Sequence, residues 1–354
     1  MKVGILTQHF FRNYGGILQN WALQQVLIQM GHEPLTFEHD TCYSRSRWLL
    51  RTVKQIVQKW SFASLPVYPY RGRVGHKPFI DFIIKNIRSV MVHNFTSELE
   101  HYYRCEAFIV GSDQVWRPAF NWGRLNNMFL DFVSDSVRKI AYAASFGVSE
   151  WEYTVEETNR CRTLAKRFDA ISVREDTAVT LCREYLDLKA EWVLDPTLLL
   201  DIEDYLTLCR NVEESKNMVF VYALHIDNNM LRFASALAEE KSLTVKILLA
   251  GEALRPEDSI EQWVAMFRDA EYVVTDSFHG MAFSIVFNKP FFIFKNESGG
   301  VARYYSLLQM MGLEHRIVEG QVKTQPHDID WKRVNKIRDE KRQESIHFLI
   351  ESLS

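Results

Sequence analysis

The sequence lacks the features that mark several common protein classes. Its five cysteines are an odd number without a CxxC pair, so no zinc site or disulfide framework is indicated and a reducing compartment is favoured. No run approaches the roughly 18 apolar residues of a spanning helix. The N-terminal apolar stretch is too short for a signal peptide. We therefore expect a cytoplasmic protein whose membrane contact is at most peripheral, on the inner face.

The chain also lacks an overall basic excess. Its 42 Lys and Arg and 45 Asp and Glu give a net charge of −3, which argues against nucleic acid as a partner. Residues 44–90 differ, with a net charge of +9 and a predicted amphipathic helix. The apolar face of that helix comprises Leu49, Val53, Ile56, Val57 and Trp60. This segment predicts peripheral binding to an anionic membrane, or else packing of the apolar face on the first domain, which would leave the charges as a solvated rim or as a wall for an acidic acceptor.

The order of predicted elements indicates an α/β protein. A length of 354 residues fits two domains or one large domain. Strands alternate with helices in two series, and the polar segment 201–217 separates them. We expect two Rossmann-like domains facing a cleft, divided near residues 198–217. The first spans residues 1–200 with a basic insertion at 44–90, the second spans 218–330, and a helix at 331–354 packs back across the cleft.

The clearest chemical signal is the segment YVVTDSFHGMAFSIVFNKP, residues 272–290. A buried strand delivers polar residues to its carboxyl end, where ligands bind in open α/β sheets. Ser277 can cap the following helix, and His279 and Gly280 fall in its first turn. Free N–H groups and the helix dipole favour an anion there. The alternative is that these residues only cap the helix and that His279 is a satisfied surface histidine.

Two further strand ends carry side chains suited to substrate binding. Arg174, in SVRED, offers a guanidinium for carboxylate or phosphate, or an ordinary ion pair with Glu175 or Asp176. GSDQVW (111–116) places Ser112, Asp113 and Gln114 at another strand end. Asp113 could cap a helix or accept a hydroxyl proton. A histidine at 225 follows VYAL near the same edge, where a structural role is the usual one.

The first turn of the chain contains NYGG, residues 13–16. Asn13, Gly15 and Gly16 lack the GxGxxG spacing of dinucleotide-binding folds, so a nicotinamide cofactor is not indicated. These residues either contact substrate or form a plain strand-to-helix turn that needs glycine.

Six segments together resemble polysaccharide pyruvyl transferases. They occur in order over residues 1 to about 312, as NYGGILQNWALQ, GSDQVW, YAASFG, SVREDTA, WVLDPT and TDSFHGMAFSIVFNKPF. The resemblance implies a glycosyltransferase B-like architecture and transfer of pyruvate from phosphoenolpyruvate to two hydroxyls of a sugar, forming a cyclic ketal. It implies no cofactor beyond this donor and leaves a divalent metal requirement open. The acceptor would be a cell-envelope saccharide, lipid-linked in its precursor form.

The resemblance also implies roles for individual residues. His279 matches the general acid that contacts the donor, and Arg174 matches a donor-binding cation. Many members have an arginine two places before this histidine, where this chain has Ser277. Arg303 and Lys295 are the candidates to supply the missing cation.

Two other functions remain open from the sequence. A nucleotide-sugar glycosyltransferase of the same architecture would hold a pyrophosphate at the same helix and would need an acid for the ribose, for which Glu297 is the nearby candidate. A non-catalytic carbohydrate-binding or assembly protein would keep the pocket residues and turn over no donor.

Overall fold

The computed structural model describes residues 1–10, 13–39, 76–121, 123–250, 255, 258–295, 302–318 and 328–354. The amphipathic helix predicted around Trp60 and the ribose-binding candidate Glu297 lie outside these residues. None of the helices within them is long and apolar enough to span a membrane.

Residues 2–192 form a parallel sheet of seven strands. The strands are β1 (Lys2–Leu6), β2 (Glu33–His39), β3 (Ser89–Val92), β4 (Ala107–Asp113), β5 (Arg138–Ala144), β6 (Ala170–Val173) and β7 (Glu191–Trp192), in the order β3-β2-β1-β4-β5-β6-β7. Each strand is parallel to its neighbour. Because the order reverses direction at β1, the sheet has a switch point between β1 and β4, where such sheets form a crevice.

Helices connect these strands as parallel pairing requires. They are α1 (Tyr14–Gln29), α2 (Lys77–Asn86), α3 (Glu98–Tyr103), α4 (Val155–Ala165) and α5 (Asp176–Leu181), with a π-helical turn at Cys182–Leu186 continuing α5. Local sequence sets their starts. Asn13 caps α1 by accepting from the Gly16 amide at 3.1 Å, and Thr154 and Glu157 form a capping box on α4.

Residues 218–318 form a second parallel sheet of five strands. They are β8 (Met218–Ala223), β9 (Thr244–Leu249), β10 (Tyr272–Thr275), β11 (Phe291–Phe294) and β12 (Ile317–Val318), in the order β12-β11-β10-β8-β9. The remaining helices are α6 (Ile202–Cys209), α7 (Asn228–Lys241), α8 (Ile260–Asp269), α9 (Phe278–Val286), α10 (Ala302–Met311) and α11 (Trp331–Leu353). The predicted α/β class with parallel sheets is thus confirmed.

The structure adds two details to the predicted organisation. Residues 77–90 of the predicted basic insertion form α2 and the first part of β3, which pairs with β2 as the edge of the first sheet. The polar segment expected to separate the two series contains α6, whose start is capped by Asp201 and Asp204.

One hydrophobic core extends from the first sheet to the second. The ring of Tyr14 at the start of α1 stacks on that of Trp263 in α8, with ring centroids 5.4 Å apart. The last helix also returns to the first sheet. Leu194 donates its amide to Ser345 Oγ at 3.0 Å, and Arg342 pairs with Asp201 on two oxygens. The two halves are therefore joined by apolar packing and by α11.

Candidate functional site

The starts of α1 and α9 meet where the two sheets face each other. A Cβ added to Gly15 would lie 1.9 Å from Nδ1 of His279, so the α1 backbone touches the imidazole directly. Only glycine permits this approach. His279 is 5% exposed. The NYGG and TDSFHG motifs, more than 250 residues apart in the chain, thus form one site.

A buried charge cluster centres on Arg174, at the end of β6. Its Nη1 lies 2.6 Å from a carboxylate oxygen of Asp195, and its Nη2 lies 3.2 Å from Asp113 Oδ1. Ser112 donates its hydroxyl to the same Asp195 oxygen at 2.8 Å. The ion pair proposed with Glu175 or Asp176 is therefore wrong. Parallel strands bring the ends of β4, β6 and β7 together, and that arrangement supplies the partners instead.

A second guanidinium comes from the other half of the chain. Arg303, in α10, is buried and places Nη1 3.8 Å from Asp113 Oδ1. Both guanidiniums lie over the ring of Phe278, Arg174 at 4.6 Å and Arg303 at 5.7 Å from its centroid. The aromatic face offsets part of the cost of holding two like charges in one buried place.

The imidazole of His279 is buried without a hydrogen bond on Nε2 from any described residue. Burial lowers its pKa to about 4, even though Asp195, 3.9 Å away, and Asp113 act to raise it. Arg174 and Arg303 add to the lowering. His279 is therefore neutral at pH 7 in the unliganded protein, and an added anion would raise its pKa.

The two aspartates of the cluster are held ionised. Burial acts to raise the pKa of Asp195, but Arg174, His279 and two hydrogen bonds from Thr197 outweigh it and bring the value to about 2. For Asp113 burial is likewise outweighed, mainly by Arg174, and the pKa is lowered. Because a carboxylate with a lowered pKa is a weak base, Asp113 is better suited to holding the guanidiniums than to accepting a hydroxyl proton.

A third carboxylate, Glu175, behaves differently. Its Oε1 accepts from the Ser145 hydroxyl and from the amides of Phe146 and Gly147, at 2.8 to 3.0 Å. Its pKa is nevertheless raised, because burial outweighs these bonds and the nearby Arg174. The three hydrogen bonds to Glu175 Oε1 anchor the YAASFG loop behind the cluster.

The helix start at α9 is less open than the sequence suggested. Ser277 caps α9, and its hydroxyl accepts from the Gly280 amide at 3.4 Å, so this N–H is not available to a ligand. Gly280 packs closely on Thr275, whose Oγ1 would lie 2.2 Å from an added Cβ. Asn13 similarly uses its side chain to cap α1 at Gly16.

Other predicted site residues lie away from the cluster. The Gln114 side chain faces Arg117, with 3.3 Å between Oε1 and Nη1. Lys295 is exposed and lies over the Tyr305 ring at 5.7 Å, so of the two candidate cations only Arg303 joins the cluster. The side chain of His225 is 72% exposed, and its Nδ1 lies 4.0 Å from a carboxylate oxygen of Asp276.

The switch point of the second sheet, between β8 and β10, is occupied by Asp276. Its carboxylate accepts the amides of Leu224 and His225 at 2.6 and 2.8 Å. These are the backbone donors that follow β8, where an α/β fold usually binds a phosphate. A protein carboxylate therefore takes the place that an anionic ligand would need.

Sequence reasoning missed several members of the site. Asp195 lies in the WVLDPT motif, but nothing near it in the sequence marks it as the partner of an arginine. Phe278 lies between Ser277 and His279, and the sequence does not indicate that its ring packs against two guanidiniums. Among the described residues, no group of three His, Cys, Asp or Glu is arranged to hold a metal ion.

The family model described as polysaccharide pyruvyl transferase matches residues 13–298. The chain belongs to this family. The match begins at the α1 cap and covers every residue of the buried cluster except Arg303, which lies just beyond it. A comparison with curated proteins found no match.

Solved structures share the fold of this family member. UDP-GlcNAc 2-epimerase from Neisseria meningitidis, bound to UDP-GlcNAc, has a TM-score of 0.50 at 10% identity over 100% of this chain and 99% of its own. Arabidopsis thaliana UGT89C1 complexed with UDP has a TM-score of 0.51 at 10% identity over 100% of both chains. At this identity the likeness shows the fold alone, and it confirms the predicted glycosyltransferase B-like architecture.

Proposed function

We propose that the protein transfers pyruvate from phosphoenolpyruvate to two hydroxyls of a saccharide, forming a cyclic ketal, with His279 as general acid. Family membership supports a transferase that acts on polysaccharide. The observation that carries the finer proposal is the buried imidazole nitrogen of His279, without a hydrogen bond from the described residues, beside two guanidiniums. Those guanidiniums suit the phosphate and carboxylate of the donor.

The reaction requires one proton donor and several cations. Protonation of C3 of the enol leaves cationic character at C2, which the first sugar hydroxyl attacks. The second hydroxyl then replaces the phosphate at C2. Both hydroxyls lose their protons. One proton enters the new methyl group, and the other leaves on the phosphate, which departs with the electron pair of its C–O bond to C2. His279 is assigned the proton delivered to C3, and the guanidiniums of Arg174 and Arg303 stabilise the charge on the donor.

The low pKa of His279 does not prevent this role. Raising a pKa from about 4 to 7 takes roughly 4 kcal/mol, at about 1.36 kcal/mol per unit. A unit negative charge at 4 Å contributes about 4 kcal/mol at an effective dielectric constant of 20. A phosphate dianion beside the ring therefore supplies enough to protonate His279, so the acid forms when the donor binds.

Asp276 argues against the nucleotide-sugar alternative. Its carboxylate occupies the amides after β8, and a pyrophosphate there would meet a negative charge instead of free donors. The third possibility, a non-catalytic binding protein, would show no turnover. Labelled phosphoenolpyruvate with a panel of lipid-linked and nitrophenyl glycosides, followed by phosphate release, tests the proposal. Phosphate release that depends on the acceptor is expected. If no combination of donor and acceptor gave phosphate release, the proposal would be contradicted.

Replacing Arg174 with lysine should weaken donor binding. A lysine ammonium cannot reproduce the two-sided contact with Asp195 and Asp113, and it leaves fewer donors for the substrate. We expect the dissociation constant for phosphoenolpyruvate to rise about tenfold, as for one lost charged hydrogen bond. Calorimetry measures it. Arg117→Lys, at a two-oxygen pair with Glu152 on the surface, is the matched control. Equal affinity in the Arg174 variant and the wild type would count against the assignment.

We place the acceptor on the first half of the chain. A cavity opens at the carboxyl ends of β1 and β2, with Phe37, Phe95 and Phe120 among its apolar residues and Asn121 and Arg124 among its polar ones. Aromatic faces with a few polar groups suit a sugar. A lipid-linked acceptor and contact of the basic segment with an anionic membrane remain part of the proposal, and they rest on the sequence.

Arg124→Gln should raise KM for the saccharide without changing KM for phosphoenolpyruvate. The guanidinium of Arg124 is partly buried in the cavity wall, and its loss removes donors from the sugar-binding surface. A three- to tenfold rise is expected, about the effect of one hydrogen bond. The exposed Arg183→Gln is the control. If the KM values for the saccharide and for phosphoenolpyruvate rose together, Arg124 would contact the donor or stabilise the fold, and its assignment to the acceptor would be wrong.

A further inference from the structure

Helix α10 contacts the first half of the chain at a second point, outside the charge cluster. The amide of Asp176 donates to Ser306 Oγ at 3.2 Å, and the Ser306 hydroxyl donates back to the Asp176 carboxylate. Ser306 is 1% exposed. These two bonds join residues 130 positions apart in the chain. They tie α10, in the second half, to the start of α5 in the first.

The first amide of α5 receives no acceptor from the side chain of its own N-cap residue. Glu175 occupies the N-cap position but makes no side-chain bond to the helix, since its carboxylate faces Ser145 and the two amides after it. An N–H in the first turn of a helix lacks a partner within that helix. The Asp176 carboxylate accepts from the Thr177 amide at 2.7 Å, and Ser306 supplies the acceptor for the amide of Asp176 itself.

The same helix carries Arg303 into the charge cluster. Arg303 and Ser306 are three positions apart in α10, and residues at that spacing lie on one face of a helix. Arg303 is the second residue of the helix and has a long side chain whose rotamers cost about 2 kcal/mol to fix. Its position relative to Asp113 therefore depends on how firmly α10 is held against the first half.

We propose that the Asp176–Ser306 pair is a positioning contact that sets Arg303 in the donor site and acts on turnover only through that guanidinium. The proposal rests on the proposed function, because Arg303 is there assigned to the donor. The hydroxyl of Ser306 bonds Asp176 and not Asp113 or His279. It is a positioning residue, and its effect on catalysis should vanish when the arginine is absent.

A double-mutant cycle tests this dependence. Ser306→Ala should raise KM for phosphoenolpyruvate about tenfold, the effect of two lost hydrogen bonds, with a smaller change in kcat. Ser306→Thr, which keeps the hydroxyl, should restore most of the loss. In an Arg303→Met background, Ser306→Ala should change KM by less than about twofold, within the usual error of additivity. The full tenfold effect in that background would overturn the proposal.

The control is Ser352→Ala, a buried helical serine whose hydroxyl bonds only its own helix at Phe348. Hydrogen exchange at the Asp176 amide, measured without substrate, separates the two proposals. It should become faster in Ser306→Ala and stay unchanged in Ser352→Ala. Unchanged exchange in Ser306→Ala would overturn the contact even in an active enzyme. If exchange were faster in Ser306→Ala but the wild-type protein did not consume phosphoenolpyruvate, the contact would be supported and the proposed function overturned.

Discussion

His279→Ala is expected to lower phosphoenolpyruvate turnover about 10²-fold or more, the usual scale of a lost general acid. No other imidazole in the part of the chain described contacts Arg174, Asp113 or Asp195 in the cluster, so no neighbouring histidine can take over its proton. Phosphate release in the presence of acceptor measures the loss. The unfolding midpoint should stay near that of the wild type, because Nε2 makes no hydrogen bond whose partner would be left unsatisfied.

The matched control is His225→Ala, since His225 also follows a strand of the second sheet but exposes 72% of its side chain. It should keep wild-type turnover. Comparable losses in the two variants, or wild-type turnover in His279→Ala, would remove His279 from the mechanism.

Proton uptake gives an independent measure of the same residue. Because burial lowers the pKa of His279 to about 4, the imidazole is neutral at pH 7 before a donor binds. The proposed function requires that it be charged once the donor is bound. Calorimetry in two buffers of different ionisation heat should detect this uptake, and His279→Ala should abolish it. The low pKa of His279 also makes stability depend on pH. In the unfolded chain the imidazole has a pKa near 6.5 and binds a proton more readily than in the folded protein, so the contribution of His279 to the free energy of unfolding falls as the pH drops from about 6.5 to 4.

Asp195→Ala is expected to be the most destabilising single change in the cluster, at about 3–5 kcal/mol. It removes the closest partner of Arg174 and leaves that fully buried guanidinium with Asp113 as its remaining carboxylate contact of hydrogen-bonding length. Ser112 and Thr197 also lose an acceptor. Urea unfolding measures the difference. A loss below about 1 kcal/mol would mean that the cluster rearranges or takes up water readily.

A surface aspartate provides the control for Asp195. Asp187 pairs with Lys166 at 2.9 Å but exposes 78% of its side chain. Because its φ is 59°, a left-handed conformation that asparagine also tolerates, Asp187→Asn should unfold close to the wild type. The pH dependence should also distinguish the two. The depressed pKa of Asp195, about 2 against 3.8, stabilises the fold above pH 3.8, and this stabilisation is lost as the pH falls toward 2. The gap between Asp195→Ala and wild type should therefore narrow in acid.

Local patterns predicted the elements of this fold well. Buried parallel strands such as β4 and β8 are short continuous apolar runs, and the capping residues Asn13 and Ser277 mark the helix starts after them. The edge strand β3 was missed because it has only four residues, three of them half-buried, and lacks the continuous buried apolar run of a central strand. Pattern recognition works where one residue's environment depends on its near neighbours.

The site was predictable only in part, for a physical reason. His279 and Arg174 could be proposed because each lies where a strand ends at a ligand-binding edge, and Arg303 because the family resemblance leaves a cation to be supplied. Their partners could not, because Arg174 reaches Asp113 across 61 positions, and Asp195, the other partner of Arg174, is itself joined to Ser112 across 83. Such contacts depend on strand order and on how the two halves dock. No local pattern carries that information.

The stacked pair of Tyr14 and Trp263 limits how the enzyme can admit its substrates. These rings lie in the continuous core between the two sheets. Aromatic side chains each bury at least about 150 Å², which corresponds to about 4 kcal/mol per ring at 25 cal/mol per Å². Swinging the halves fully apart would expose both rings to water. Under the proposed function, we therefore expect substrates to enter without a full separation of the two halves, which this aromatic packing opposes.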